Sequence, residues 1–498
     1  MKDGPRLARR VAGSAVANIW LTLLGLFTTP YILLGLGSAA YGVFAMVSVV
    51  SVHLSNLELG FGQATVHYLA RARAAGDVKG ERVILDASCA VFLVSGLTGA
   101  VLLFAGAPYL VSSFFHIDAS LQPGALAAFR LGALILGCSF MTSFFSSVLQ
   151  AFGRFDWLNG SRAVFGTAAA VSAVLAVAAG GGLYAVFVTQ AGVACVSALS
   201  LAAAVAHIRR GAVGFRIETR ALREMWRYAI LAFSGGIAYQ WMINGAPLVL
   251  AAHVDAAEIP AFSVPHMVFL KLTGLVASAG LAFFPFASAA STSGDRSRLR
   301  AAFESNLRLT ILVMGPVAGY LVVFAPTLLG AWVSLEFGLA AAPCLRLLAV
   351  AALLLALSGP PADVARGLGH PGWVLAYTLS VAVLGVGTSV MVIPSQGPVG
   401  AAFALSVSVL LGTVPFLFVV AQRLLGLRPW DLGRALAGPA VAVALVTASY
   451  AAGAIVGTGV IAALITGGLA TAAYAATCFV WVLAPRERDA LQQAAAQA

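Results

Sequence analysis

Stretches of about 20 apolar residues recur along the whole chain, each long enough to cross a hydrocarbon core as a helix. Only isolated charges such as Glu58 and Lys271 interrupt them. Hydrophobic residues make up 61% of the 498 positions and charged residues 9%, against roughly a quarter charged in an ordinary soluble domain. So little charge cannot coat soluble domains of this combined length. The expected fold is an all-α polytopic membrane protein with fourteen transmembrane helices. Their approximate limits are 12–35, 42–64, 83–106, 125–151, 162–180, 184–206, 226–253, 262–288, 306–330, 343–366, 373–393, 399–421, 435–453 and 460–484. Residues 12–35 lack the short apolar core and small-residue cleavage site of a signal peptide, so they read as a retained first span. Abundant glycine (52 residues) suits helices that pack closely in lipid.

The net charge of +11 is a topology signal. Arg6, Arg9 and Arg10 precede the first span, and Arg71, Arg73, Lys79 and Arg82 fill the second loop. Arg209, Arg210, Arg216, Arg220 and Arg223 lie in the sixth, and Arg296, Arg298 and Arg300 in the eighth. Arg423, Arg428 and Arg434 follow the twelfth span, and Arg486 and Arg488 the last. The alternate loops carry acids such as Asp118, Asp255, Glu258 and Glu336 instead. Basic loops face the cytoplasm, so both termini are expected inside, and no nucleic-acid partner is expected. The five cysteines (Cys89, Cys138, Cys195, Cys344 and Cys478) lie in apolar segments without metal or disulfide spacing and read as small core residues.

The chain repeats itself. A shift of 216 residues lays Arg130, Gly153 and Trp157 on Arg346, Gly369 and Trp373, and Gly181 and Phe187 on Gly397 and Phe403. A shift of 218 lays Phe44, Gly76, Asp77 and Arg82 on Phe262, Gly294, Asp295 and Arg300, and one of 217 lays Pro30 on Pro247. Each unit holds six spans, an even number, so both enter the membrane from the same side, as in transporters that rock two bundles around a central site. The predicted bundles are residues 1–210 and 211–425, with two extra helices and a short tail in 426–498.

Two six-span repeats with two appended spans resemble the multidrug/oligosaccharidyl-lipid/polysaccharide exporter superfamily. The segments Ala17-Asn18, Pro30-Tyr31-Ile32-Leu33, Leu36-Gly37 and Tyr41-Gly42-Val43-Phe44 resemble the opening of Wzx-type polysaccharide flippases. Leu57-Glu58-Leu59-Gly60-Phe61-Gly62-Gln63-Ala64 is similar to that family's ending of the second span. The likeness covers most of residues 10–425. It implies a MATE-like fold and alternating-access export of an undecaprenyl-pyrophosphate-linked oligosaccharide, an O-antigen or exopolysaccharide unit, across the bacterial inner membrane. It also implies membrane lipid and polysaccharide polymerase or export machinery as partners. Two alternatives stay open. Lipid II flippases of the superfamily have fourteen spans, whereas many Wzx members are drawn with twelve, and MATE-type cation-coupled drug antiporters share the fold.

Diphosphate and sugars crossing a low-dielectric slab need cations and hydrogen-bond donors, and ionisable residues in mid-span usually face a hydrated cavity. Lys271, about eleven residues into the eighth span, lies roughly 16 Å deep at 1.5 Å per residue. His53 is its repeat equivalent in the second span. Asn18, Gln240 and Asn244 are plausible lining residues, since the resemblance puts the first, second, seventh and eighth spans around the cavity. Arg130 and Arg346 are a duplicated pair near the outer ends of the fourth and tenth spans, suited either to phosphate or to snorkelling. Glu58 is the candidate ion-coupling or gating carboxylate for a proton or sodium gradient, or else the partner of an inner-side arginine such as Arg366. No metal or other cofactor is expected. The chain lacks a phosphate-binding G-x-x-x-x-G-K-[ST] loop and nucleophile motifs, so an enzyme is not expected.

Overall fold

The structure, a computed structural model, describes residues 4–115, 117–208, 218–274, 296–457 and 459–478. In chain order the helices are α1 (Gly4–Leu36), α2 (Ser38–Leu54), α3 (Phe61–Ala74), α4 (Val78–Tyr109), α5 (Gln122–Ala151), α6 (Phe155–Ala178), α7 (Gly182–Ile208) and α8 (Thr219–His253). There follow α9 (260–274), α10 (Arg296–Trp332), α11 (Leu335–Leu357), α12 (Gly359–Gly367), α13 (Pro371–Arg423), α14 (Pro429–Val456) and α15 (Val460–Thr477). Among the described residues eleven helical segments are long and apolar enough to cross a membrane, with α13 counting once. Its 53 residues would reach about 80 Å at 1.5 Å each. Gly397, at φ 54° and ψ −131°, divides it into two consecutive spans where the sequence suggested a loop.

Two further boundaries differ from the sequence reading. The second span is not one helix. α2 gives way to a 3-10 turn at Ser55–Glu58, and α3 then continues ten residues beyond the limit expected at 64. Arg71 and Arg73 are therefore helical, and the second loop shrinks to 75–77. The tenth span breaks at Ser358 into α11 and α12. Polar and glycine residues at these points (Glu58, Gly60, Ser358, Gly359) weaken the helix without lowering the apolar content that marks a span.

The helices gather into two compact units, one of residues 1–240 with 250–260, the other of 241–249 with 261–498. In the first, α4 lies against α5, α5 against α7, and α6 against both α1 and α7. Trp20 Nε1 of α1 donates to Thr167 Oγ1 of α6 at 2.8 Å. In the second, α10 packs on α11 and α14, and α11 on α13. The last two helices are bound to α10 through a cluster of Phe324, Val446, Tyr450 and Ala463. The duplication is visible in the geometry. α6 and α13 begin at Phe155 and Pro371, and Gly153 and Gly369 both turn with positive φ, 68° and 80°.

Prolines inside these helices reveal what fastens the second unit. A proline lacks the N–H that would bond the carbonyl four residues earlier, and in lipid that carbonyl must find another donor. Pro326 vacates Val322, and Arg346 Nε donates to it at 3.0 Å. Pro316 vacates Leu312, which accepts from the Tyr474 hydroxyl at 3.1 Å. Pro439 vacates Ala435, which Arg308 Nε reaches at 3.1 Å, and Pro247 vacates Ile243, which accepts from His266 Nε2 at 3.1 Å. Each donor comes from a different helix, so each gap in one ladder ties two helices together. A carbonyl left unmet would cost about 1–3 kcal/mol.

Candidate functional site

The break in the second span builds a polar chamber in the first unit. Leu59 and Gly60 both take left-handed conformations, φ 52° and 76°. A Cβ on Gly60 would lie 2.4 Å from the carbonyl oxygen of Ala229, so the position demands glycine. The chain then restarts as α3, whose first turn leaves unpaired N–H groups and a partial positive charge. Glu58 uses both. Its Oε1 accepts from the Gly62 N–H at 2.9 Å, and its Oε2 accepts from the Ser143 hydroxyl at 3.0 Å. A Cβ on Gly62 would stand 2.2 Å from Glu58 Oε1, so the second glycine makes room for the carboxylate.

Glu58 and Ser143 open onto a cavity of about 380 Å³. Helix α5 supplies its longest wall. Ser139, Thr142, Ser143, Ser146, Ser147 and Gln150 recur at the three- and four-residue spacing of one helical face and all line the space. Gln63 of α3, Ser161 and Arg162 of α6 and Ser197 of α7 complete the polar lining, with Val66 and Phe165 as apolar side chains. The chamber offers one carboxylate, one guanidinium and a dense set of hydroxyls and amides. It can hold a hydrated ion or hydrogen-bond a polyhydroxylated group. Arg162 and the serine face are absent from the sequence-derived candidates, although the spacing from Ser139 to Gln150 was there to be read.

Of the residues singled out in the sequence, Glu58 alone lines this chamber. His53 stands five positions earlier, with Nδ1 at 2.9 Å from the Val49 carbonyl. Asn18 is exposed on α1, while Gln240 and Asn244 are half-buried one turn apart on α8. Lys271 is half-buried near the end of α9; the residues expected to complete that span, 275–288, lie outside the described residues. Arg346 is exposed and engages the Val322 carbonyl. Its duplicate Arg130 is also exposed, its guanidinium 5.2 Å from the centre of the Phe104 ring. Phe104 is the residue four before Pro108, as Val322 is four before Pro326. Both arginines therefore sit at proline breaks. Arg366 pairs with Asp363 at 2.8 Å, not with Glu58. Among the described residues no group of three or more His, Cys, Asp or Glu side chains could hold a metal ion.

The sequence profile of a family described as polysaccharide biosynthesis protein matches residues 36–337. No curated protein matches the chain in sequence. Solved structures do match in fold. The lipid II flippase MurJ, in an inward closed conformation, superposes with a TM-score of 0.75 at 12% identity, over 94% of this chain and 98% of its own. A multidrug resistance MATE family transporter of the MOP superfamily, inward-facing, gives 0.72 at 14% identity, over 83% and 98%. The fold is that of MATE and MurJ.

Proposed function

The chain belongs to the polysaccharide biosynthesis protein family, and from that premise we propose that it is an alternating-access flippase for a polyprenyl-pyrophosphate-linked oligosaccharide. The observation that carries the reading is the hydroxyl-rich chamber inside a bundle of otherwise apolar, membrane-length helices. Polar side chains in such helices are costly unless they face water or a polar ligand, and hydroxyls and amides are the partners a sugar uses. The substrate moves from the inner to the outer leaflet of the inner membrane, with both termini cytoplasmic. Deleting the gene is expected to remove surface polysaccharide and to leave lipid-linked units accumulated on the cytoplasmic side. Sensitivity to cationic drugs with intact polysaccharide would instead identify a drug antiporter. Lipid II is the alternative substrate, since α14 and α15 match the fourteen-span count of lipid II flippases; rescue of a cell lacking its lipid II flippase tests that.

Glu58 is the coupling group in this reading. A carboxylate held by one N–H and one hydroxyl at the edge of the chamber can exchange those donors for a proton or a sodium ion. In proteoliposomes, Glu58→Gln is expected to leave transport insensitive to the ion gradient while the protein still folds; unchanged ion dependence removes the role. Lys271 is proposed to grip diphosphate. Lys271→Met is expected to abolish transport without loss of stability, and Lys271→Arg to keep part of the activity. Full activity in Lys271→Met would discard the assignment.

A further inference from the structure

Helix α6 also borders a second space. A groove of about 370 Å³ runs between α6 and α7, walled by Trp157, Gly160, Val164, Leu201 and Ala204, with Asp156 at its end. Ser161 and Phe165 line both spaces, which therefore adjoin along a single turn of α6, their shared partition. The groove face of α6 follows the spacing 157, 160, 161, 164, while Arg162 points into the chamber. At the groove's end Arg154 pairs with Asp156 at 3.1 Å and stands 5.8 Å from the centre of the Trp157 ring. This cluster of Arg, Asp and Trp is of the kind found where a helix leaves the hydrocarbon. Pairing with Arg154 also limits the repulsion Asp156 would exert on a passing anion.

Building on the flippase reading, we propose that the groove and chamber together form one site for a single-chain amphiphile, a polyprenyl phosphate bearing sugar. The phosphate sits at Arg162 and Ser161, a station distinct from the diphosphate grip proposed for Lys271, the isoprenoid units nearest it lie in the groove, and the sugar reaches the serines of α5. The order of chemistry along the molecule matches the order of surfaces across the partition, from apolar wall to guanidinium to hydroxyl face. A guanidinium grips phosphate through two parallel hydrogen bonds. The groove adds no hydrophobic affinity, because lipid tails are as apolar as its own side chains. Its part is selection. A single groove between two helices seats one chain, whereas a diacyl phospholipid brings two.

The test is retention of a long-chain polyprenyl phosphate by the purified full-length protein, read by native mass spectrometry. Gly160 supplies a plug, since a Cβ there meets nothing within 4 Å. Gly160→Phe is expected to weaken retention about tenfold or more, a loss of about 1.4 kcal/mol. Val164→Trp, on the same wall, is expected to repeat the loss, and thermal melting in detergent reports that each variant is folded. Arg162→Gln is expected to weaken retention of polyprenyl phosphate to a similar degree, and the parent is not expected to hold polyprenol, which lacks the phosphate. Unchanged retention in both folded plug variants, or in Arg162→Gln, overturns the placement and leaves the flippase reading standing. Equal displacement by phosphatidylglycerol makes this a general phospholipid site and also overturns the proposal. A parent protein that holds no polyprenyl phosphate overturns the proposal, while the flippase reading stands or falls by the deletion phenotype.

Discussion

Removing the side chain of Arg346 strips the Val322 carbonyl of the donor that replaces the missing N–H of Pro326. Arg346→Met is therefore expected to destabilise the protein by about 1–2 kcal/mol, seen as a lower melting temperature in detergent. Adding Pro326→Ala returns a backbone N–H to the helix, so the double variant is expected to regain most of the loss. That cycle also weighs the two roles the sequence left open for this arginine. If Arg346 holds phosphate, the double variant is stable but transports poorly; if it serves only the break in α10, transport returns with stability. A lysine or arginine in an apolar run is conspicuous in a sequence, but its acceptor is not. The proline that creates the acceptor lies twenty residues away on another helix, and only packing brings them together.

The join between α2 and α3 carries Glu58, the coupling group proposed above. Gly62 is small because a carboxylate oxygen occupies the place of its side chain. Gly62→Ala is expected to push Glu58 off the N-terminus of α3 and so to reproduce the uncoupled transport of Glu58→Gln in proteoliposomes. Wild-type gradient dependence in Gly62→Ala would show that the carboxylate acts from another position. Glu58 and its two flanking glycines were legible in the sequence because charge and glycine both stand out in an apolar run. The hydroxyl face of α5 was harder to see. Serine and threonine are ordinary in membrane helices, where they bond their own backbone or a neighbour, as Ser147 does to the Ser143 carbonyl. Only the meeting of that face with Gln63 and Arg162 makes it a chamber. The groove beside it was hidden for another reason: its α6 residues keep helical spacing, but the space itself arises only where α6 meets α7.

Across the whole molecule fourteen spans, an even number, would put both ends on one side. Reporter fusions after Gln497 and in the loop at Asp255 are expected to mark opposite faces of the membrane; the same face for both would refute the fourteen-span path. The span count was readable because apolar length alone fixes it, and the repeat because arginine, tryptophan and glycine recur at one offset. The exact ends of helices escaped, since loop arginines such as Arg71 continue the helix beyond the hydrocarbon. The proline breaks of α4 and α10 carry a date. Pro108 and Pro326 are 218 positions apart, and Arg130 and Arg346 are 216 apart, each arginine standing at the residue four before its proline. Two halves that differ at most positions keep the same broken helix and the same arginine beside it. The pair is thus older than the duplication, a trait of the six-helix ancestor that the present chain inherited twice.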